Sequence, residues 1–177
     1  MNEKQIYKII SLSSSSAGLT TLYSNYAKKF NSITPLESKY QIGIDFYSKE
    51  IKLPNGLMLT LHFWKLYFQA RFNFFLKKLV KDATAGLLMF DIMSQNSLYN
   101  IEMYIPIFRT CNPKLPIILL GNKTDLMENR LIDEEYLEQY ISRNKITSYF
   151  EISAQKDTNR KIEEIFYNLA NLIINRS

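Results

Sequence analysis

The chain has 177 residues, 46% of them hydrophobic, and a formal net charge of +5 carried by lysines spread along its length; this fits one globular domain, 1–177, and excludes a basic tract of the kind that grips nucleic acid. The single cysteine, Cys111, excludes an intramolecular disulfide and a cysteine-built metal site. No apolar run approaches the roughly 20 residues of a membrane span, the start MNEKQIYK lacks a signal-peptide core, and the end NLIINRS carries no cysteine for a lipid anchor, so a cytoplasmic location is expected.

Residues 7–12 read as a first strand, and Leu19, Leu22, Tyr23, Tyr26 and Phe30 have helical spacing. Between them lies SSSSAGLTT, which holds Ser13, Ser14, Ser15, Ser16, Ala17, Gly18, Leu19 and Thr20. A strand, a loop of small residues and a helix are the setting of a phosphate-binding loop of pattern GxxxxGK[ST]. Gly18 and Thr20 match that pattern, whereas Ser13 stands for its first glycine and Leu19 for its lysine. One flexible position and one hydroxyl, Thr20, suitable for a bound magnesium therefore remain, and the charge that meets phosphate is gone. Two readings stand: a weakened anion site at the helix N-terminus, and a serine-rich loop with no phosphate role.

Past a loop containing Pro35, residues 40–64 alternate polar and apolar on both sides of Pro54-Asn55-Gly56. Asn-Gly predicts a hairpin closed by a type I′ turn. Phe72, Phe75, Leu76 and Leu79 have helical spacing, with Lys77, Lys78 and Lys81 on a solvated face, and residues 85–92 read as a strand. Ser94 can cap a helix running through Leu98, Ile101, Tyr104 and Ile105, which Pro106 bends or breaks. The apolar run before Gly121 reads as a strand buried on both faces; Asp133, Glu134 and Glu135 open a further helix. Residues 148–155 give a last strand and loop, followed by an amphipathic helix with Ile162, Ile165, Phe166, Leu169, Leu172 and Ile173 on its core face. His62, with no second histidine in the chain, reads as an ordinary strand residue. Six strands alternating with five helices predict an α/β fold: a doubly wound, mostly parallel six-stranded sheet with one antiparallel edge strand.

The stretch PIILLGNKTDL, residues 116–126, places Asn122, Lys123 and Asp125 at the carboxyl end of a strand, where α/β sheets bind ligands. A carboxylate there accepts from both the ring N–H and the amino group of guanine, a pair that adenine lacks. Charge-assisted bonds of this kind contribute about 1.5–3 kcal/mol each. The alternative is a polar turn after a strand.

At these residues the chain resembles the Ras-like small GTPases, whose base-reading motif is NKxD. Residues 42–46, IGIDF, resemble the Rab signature IGVDF; FWKLYFQARF, residues 63–72, resembles WDTAGQERF; and Ser153-Ala154-Gln155 resembles SAK. The resemblance covers nearly the whole chain and implies the small-GTPase, P-loop NTPase-like fold. It implies guanine binding by Asn122, Lys123, Asp125, Ser153 and Ala154, whose N–H meets the guanine oxygen, with Gln155 in place of a lysine that packs over the base. It also implies a partner surface formed by Ile42, Ile44, Phe46, Trp64 and Phe72 on the switch and hairpin face.

The same resemblance implies losses. Gln41 replaces a magnesium-ligating threonine, Lys65 an aspartate that holds magnesium, and Phe68 a glycine that donates to the γ-phosphate, while Gln69 matches the residue that positions the attacking water and has that role only if the protein is active. Lys65 has two readings: a flexible cation that reaches the phosphates, or a side chain that turns to solvent or pairs with an acid such as Asp91. Phosphoryl transfer depends on the missing groups, and fold does not imply activity. The expected function is a pseudoGTPase interaction module with weak or absent guanine-nucleotide binding. GDP and GTP are its only cofactor candidates, no magnesium is expected, and its partner is a protein. An atypical GTP-hydrolysing switch in signalling or membrane traffic, and a structural subunit locked by a permanent partner, are the alternatives.

Overall fold

The computed structural model describes residues 5–28, 33–36, 43–66 and 73–175, the side chains of residues 73–75 excepted. Unbroken apolar runs form its innermost strands: β5 (Ala85–Asp91) and β6 (Ile117–Asn122) are buried along their whole length. Strands of that kind need cover on both faces. They pair in parallel with each other, β5 also pairs with β1 (Gln5–Ser13), and β6 pairs with β7 (Ser148–Ile152). On its other edge β1 takes β4 (Met58–Leu66) in parallel, and β4 is the second arm of an antiparallel hairpin with β3 (Ile44–Lys52).

Helices cover both faces. On one lie α1 (Leu19–Lys28) and α6 (Asn159–Ile174), whose Leu22, Tyr23, Ile165 and Phe166 pack on Ile9, Leu61, Phe63 and Leu120. On the other lie α2 (Asn73–Val80), α3 (Gln95–Glu102), α4 (Ile105–Cys111) and α5 (Glu134–Arg143), packed on Ile10, Leu88, Phe90 and Leu119. Ser94 caps α3 by accepting from the Ser97 N–H at 3.2 Å, and Asp133 caps α5 by accepting from the Tyr136 N–H at 3.1 Å.

Among the described residues the sheet has seven strands and there are six α-helices, one more of each than the sequence predicts. The extra strand, β2 (Thr34–Leu36), lies in the loop around Pro35 and pairs antiparallel with β3, placing Pro35 opposite Tyr47. An edge position is where a strand tolerates proline, which has no N–H for a second ladder. The extra helix arises because Pro106 cannot donate to Glu102, so the segment predicted as one helix divides at Met103 and Tyr104 into α3 and α4.

The hairpin turn also differs. Gly56 alone has positive φ, 84°, while Asn55 does not, and the Gly56 N–H donates to the Leu53 carbonyl at 2.9 Å. Pro54 fixes its own φ near −65° and takes the first corner of a type I turn, leaving Gly56 as the left-handed bulge residue of a three-residue loop. The order β2-β3-β4-β1-β5-β6-β7 reverses direction at β1, so the crevice at the carboxyl end of β1 is the topological switch point of the sheet.

Candidate functional site

The carboxyl ends of β6 and β7 bring the guanine-reading candidates together. Asn122, 3% exposed at the end of β6, donates from Nδ2 to the Ala17 carbonyl at 2.6 Å and accepts at Oδ1 from the Ala154 N–H at 2.8 Å. One amide thus joins the serine loop, β6 and the loop after β7. The Ala154 N–H, expected to meet a guanine oxygen, is directed at Asn122 here. Lys123 adopts a left-handed φ of 74°, and its Nζ pairs with Asp91 Oδ2 at 2.6 Å. Asp91 is therefore the partner of Lys123 and not of Lys65.

Asp125 follows in a 3-10 turn, Thr124–Asn129, and its Oδ1 accepts from the Ser153 hydroxyl at 2.6 Å. Its Oδ2 lies 4.0 Å from Lys156 Nζ, beyond hydrogen-bond reach, so acceptor capacity remains on the carboxylate. The Ser153 N–H in turn donates to Asp157 Oδ2 at 2.8 Å, and Asn25 of α1 donates to the Ala154 carbonyl at 2.9 Å. A cavity of about 150 Å³ opens between Gly18, Lys123, Asp125, Ala154 and Gln155. A carboxylate with spare acceptor capacity suits the hydrogen-bonding edge of a purine bearing two donors.

At the carboxyl ends of β1 and β4 lies a larger cavity, about 420 Å³, between residues 13–16, residues 18–21, Lys65 and Leu66. The serine loop turns through two left-handed residues: Ser16 has φ 64° and Gly18 φ 96°. Left-handed backbone at a serine costs about 1–2 kcal/mol relative to glycine. Ser14 is buried and its hydroxyl bonds that of Ser97, which also accepts from the Asp91 N–H at 2.8 Å. Ala17 is fully buried, Leu19 points into the core, and Ser15, Ser16 and Thr20 are exposed.

Lys65 is the feature that sequence reading placed least well. It is 2% exposed, and its Nζ pairs with Asp45 Oδ2 at 2.5 Å. It neither turns to solvent nor meets Asp91. Hairpin register holds the signal: Asp45 and Lys65 lie opposite each other, each ten residues from Asn55. A divalent cation needs oxygen ligands, and magnesium keeps near-ideal octahedral geometry. The cavity that Thr20 lines offers the Lys65 ammonium instead, so the described residues that line it do not fit magnesium.

On the opposite face of the hairpin Phe46 and Trp64 form a cross-strand edge-to-face pair, ring centroids 4.9 Å apart, with Lys8 Nζ 4.0 Å above the Trp64 ring. Burial lowers the Lys8 ammonium below the usual lysine range, opposed by the charge of Asp82. Ile44, Phe46 and Trp64 are half-buried. Gln41, Ile42, Phe68, Gln69 and Phe72 lie outside the described residues.

Comparison with known proteins follows the same frame. The chain is 30% identical to the Ras-related protein Rab-11B of Dictyostelium discoideum, over 94% of this chain and 73% of that protein. It is 30% identical to Rab-7a of Paramecium octaurelia, over 95% of this chain and 81% of that protein, and 29% identical to Rab7 of Drosophila melanogaster, over 89% and 76%. The family model described as the Ras family matches residues 8–175, from β1 through α6. With that match laid along a doubly wound sheet whose switch point carries the serine loop and whose β6 carries NKTD, the chain belongs to the Ras family of small GTPases, with Rab proteins among its relatives.

Proposed function

We propose that this Ras-family chain is a pseudoGTPase: a Rab-like interaction module that binds guanine nucleotide weakly or not at all and docks a protein partner through the hairpin face bearing Ile44, Phe46 and Trp64. The observation that carries this reading is Lys65, a buried ammonium paired with Asp45 at the wall of the serine-loop cavity. A cation built into the protein there opposes a divalent ion, and Leu19, packed in the core, supplies no charge to phosphate. Phosphoryl transfer on this fold works by positioning and by neutralising charge, and both are reduced here. The base-reading side keeps Asp125 bonded to Ser153 and Asn122 bonded to the adjacent Ala154, which supports the reading that any nucleotide that binds is read as guanine.

Single-turnover phosphate release from GTP in the presence of magnesium tests the proposal. An intact Ras-type site without an activating partner turns over at about 10⁻⁴ s⁻¹. No release above buffer is the expected outcome. Release at or above that rate would overturn the pseudoGTPase reading in favour of a hydrolysing switch.

A further inference from the structure

We propose that the cavity between the loops that enter β6 and β7 is a binding site for a phosphate group, carried by a free phosphate compound or by the headgroup of a membrane lipid. It lies at the amino ends of these strands, the opposite end of the parallel sheet from the serine loop. About 530 Å³ in volume, it is lined by Arg109, Asn112, Pro113, Lys114, Lys145 and Thr147, so the described lining holds three cations and no carboxylate. Lys114, Lys145 and Thr147 are exposed, which leaves the cavity open to the surface. The proposal goes beyond the pseudoGTPase reading and does not depend on it.

Arg109 organises the site. From the last turn of α4 its Nη1 donates to the carbonyls of Leu115 at 2.6 Å and Pro113 at 3.4 Å, and its Nη2 to those of Lys145 at 2.6 Å and Asn144 at 3.3 Å. One planar fork thus ties the loop before β6 to the loop before β7, and each loop supplies a lysine to the lining. The same bonds engage backbone oxygens that would otherwise repel an anion. The neutral side chains follow the same pattern: Asn112 Oδ1 accepts from the Lys114 N–H at 3.1 Å, and Thr147 Oγ1 accepts from the Ile117 N–H at 3.1 Å. With those oxygens engaged, the amide hydrogens of Asn112 and the hydroxyl proton of Thr147 are left to donate. Among the described residues neither Lys114 nor Lys145 is paired with a carboxylate. A cavity whose acceptors are engaged and whose donors are not is complementary to an anion. Three cations suit a group of two or more negative charges, such as a phosphate, better than the single charge of a carboxylate.

The test titrates the full chain with sodium pyrophosphate, followed by calorimetry and by backbone amide shifts. In parallel the protein is floated with phosphatidylcholine vesicles, with and without phosphatidylinositol bisphosphate. Saturable binding with shifts around residues 112–115 and 145–147 is expected. The double variant Lys114→Gln, Lys145→Gln, changed at two exposed side chains, should bind at least about tenfold more weakly. Asn112→Asp keeps the acceptor for the Lys114 N–H and replaces a donor with a negative charge. It should weaken binding by about the same factor at an unshifted urea midpoint, which a purely structural role for Asn112 would not produce. Flotation with the bisphosphate vesicles alone, lost in the double variant, assigns the phosphate to a lipid headgroup; pyrophosphate binding without flotation assigns it to a free phosphate compound. Absence of binding in both arms, shifts confined to residues 13–21, or a double variant that binds as well as wild type overturns the proposal.

Discussion

Gly18 and Asn122 meet where the serine loop and the carboxyl end of β6 come together. A Cβ on Gly18 would lie 2.3 Å from Asn122 Nδ2, and the backbone there has φ 96°. Asn122 cannot withdraw cheaply, because its amide holds Ala17 and Ala154 at once. Gly18→Ala is therefore expected to cost about 1–3 kcal/mol, from left-handed strain together with loss of that double hydrogen bond. A shift in the urea midpoint at unchanged slope would show it. An unshifted midpoint would mean that the two loops are not joined through this amide. Glycine at 18 was legible in the sequence as the surviving half of a phosphate loop, but the reason for it was not. The constraint comes from a residue 104 positions away, 122 − 18, that only the fold brings into contact.

Among the elements, the β3–β4 hairpin sets most of what distinguishes this chain. Its register fixes Asp45 against Lys65 and Phe46 against Trp64, so ion pair and aromatic pair lie on opposite faces of one ribbon. Alternation of polar and apolar residues was enough to identify the hairpin. Pro54 was the clue to the turn type, because its fixed φ near −65° suits the first corner of a type I turn and it has no N–H for the hydrogen-bonded pair that would flank Asn55-Gly56 in a type I′ turn. Gly56 has open space around it, so Gly56→Ala meets no clash and loses only its backbone freedom. A loss of about 1–2 kcal/mol is expected, read from thermal or urea unfolding. A much larger loss would point to slippage of the register that pairs Asp45 with Lys65.

Over the whole molecule, the two apolar layers bury tyrosines as well as aliphatic residues. Burial pushes the phenols of Tyr23, Tyr26, Tyr104 and Tyr140 well above their ordinary 10.0, with hydrogen bonding to Ser11 partly opposing the rise at Tyr23. A group whose folded pKa is raised contributes stability below its unfolded pKa and loses it above. The unfolded chain sheds these protons first, so stability should fall steadily as pH rises past about 10. Urea melts across that range, compared with phenolate absorbance, would check it; tyrosines that ionise without loss of stability would contradict the burial assigned here. Among the described residues no helix is long and apolar enough to cross a membrane. By itself the sequence determined the layer order, the hairpin and the placing of NKTD at a strand end, because hydrophobic period and turn residues act over a few neighbours and suffice to define elements. Only the tertiary structure decided what those elements put face to face: Asp91 on Lys123, Asn122 across two loops, and β2 laid along the sheet edge. No local pattern encodes these contacts between elements, whereas the pairing of Asp45 with Lys65 follows from the hairpin register once its turn is placed.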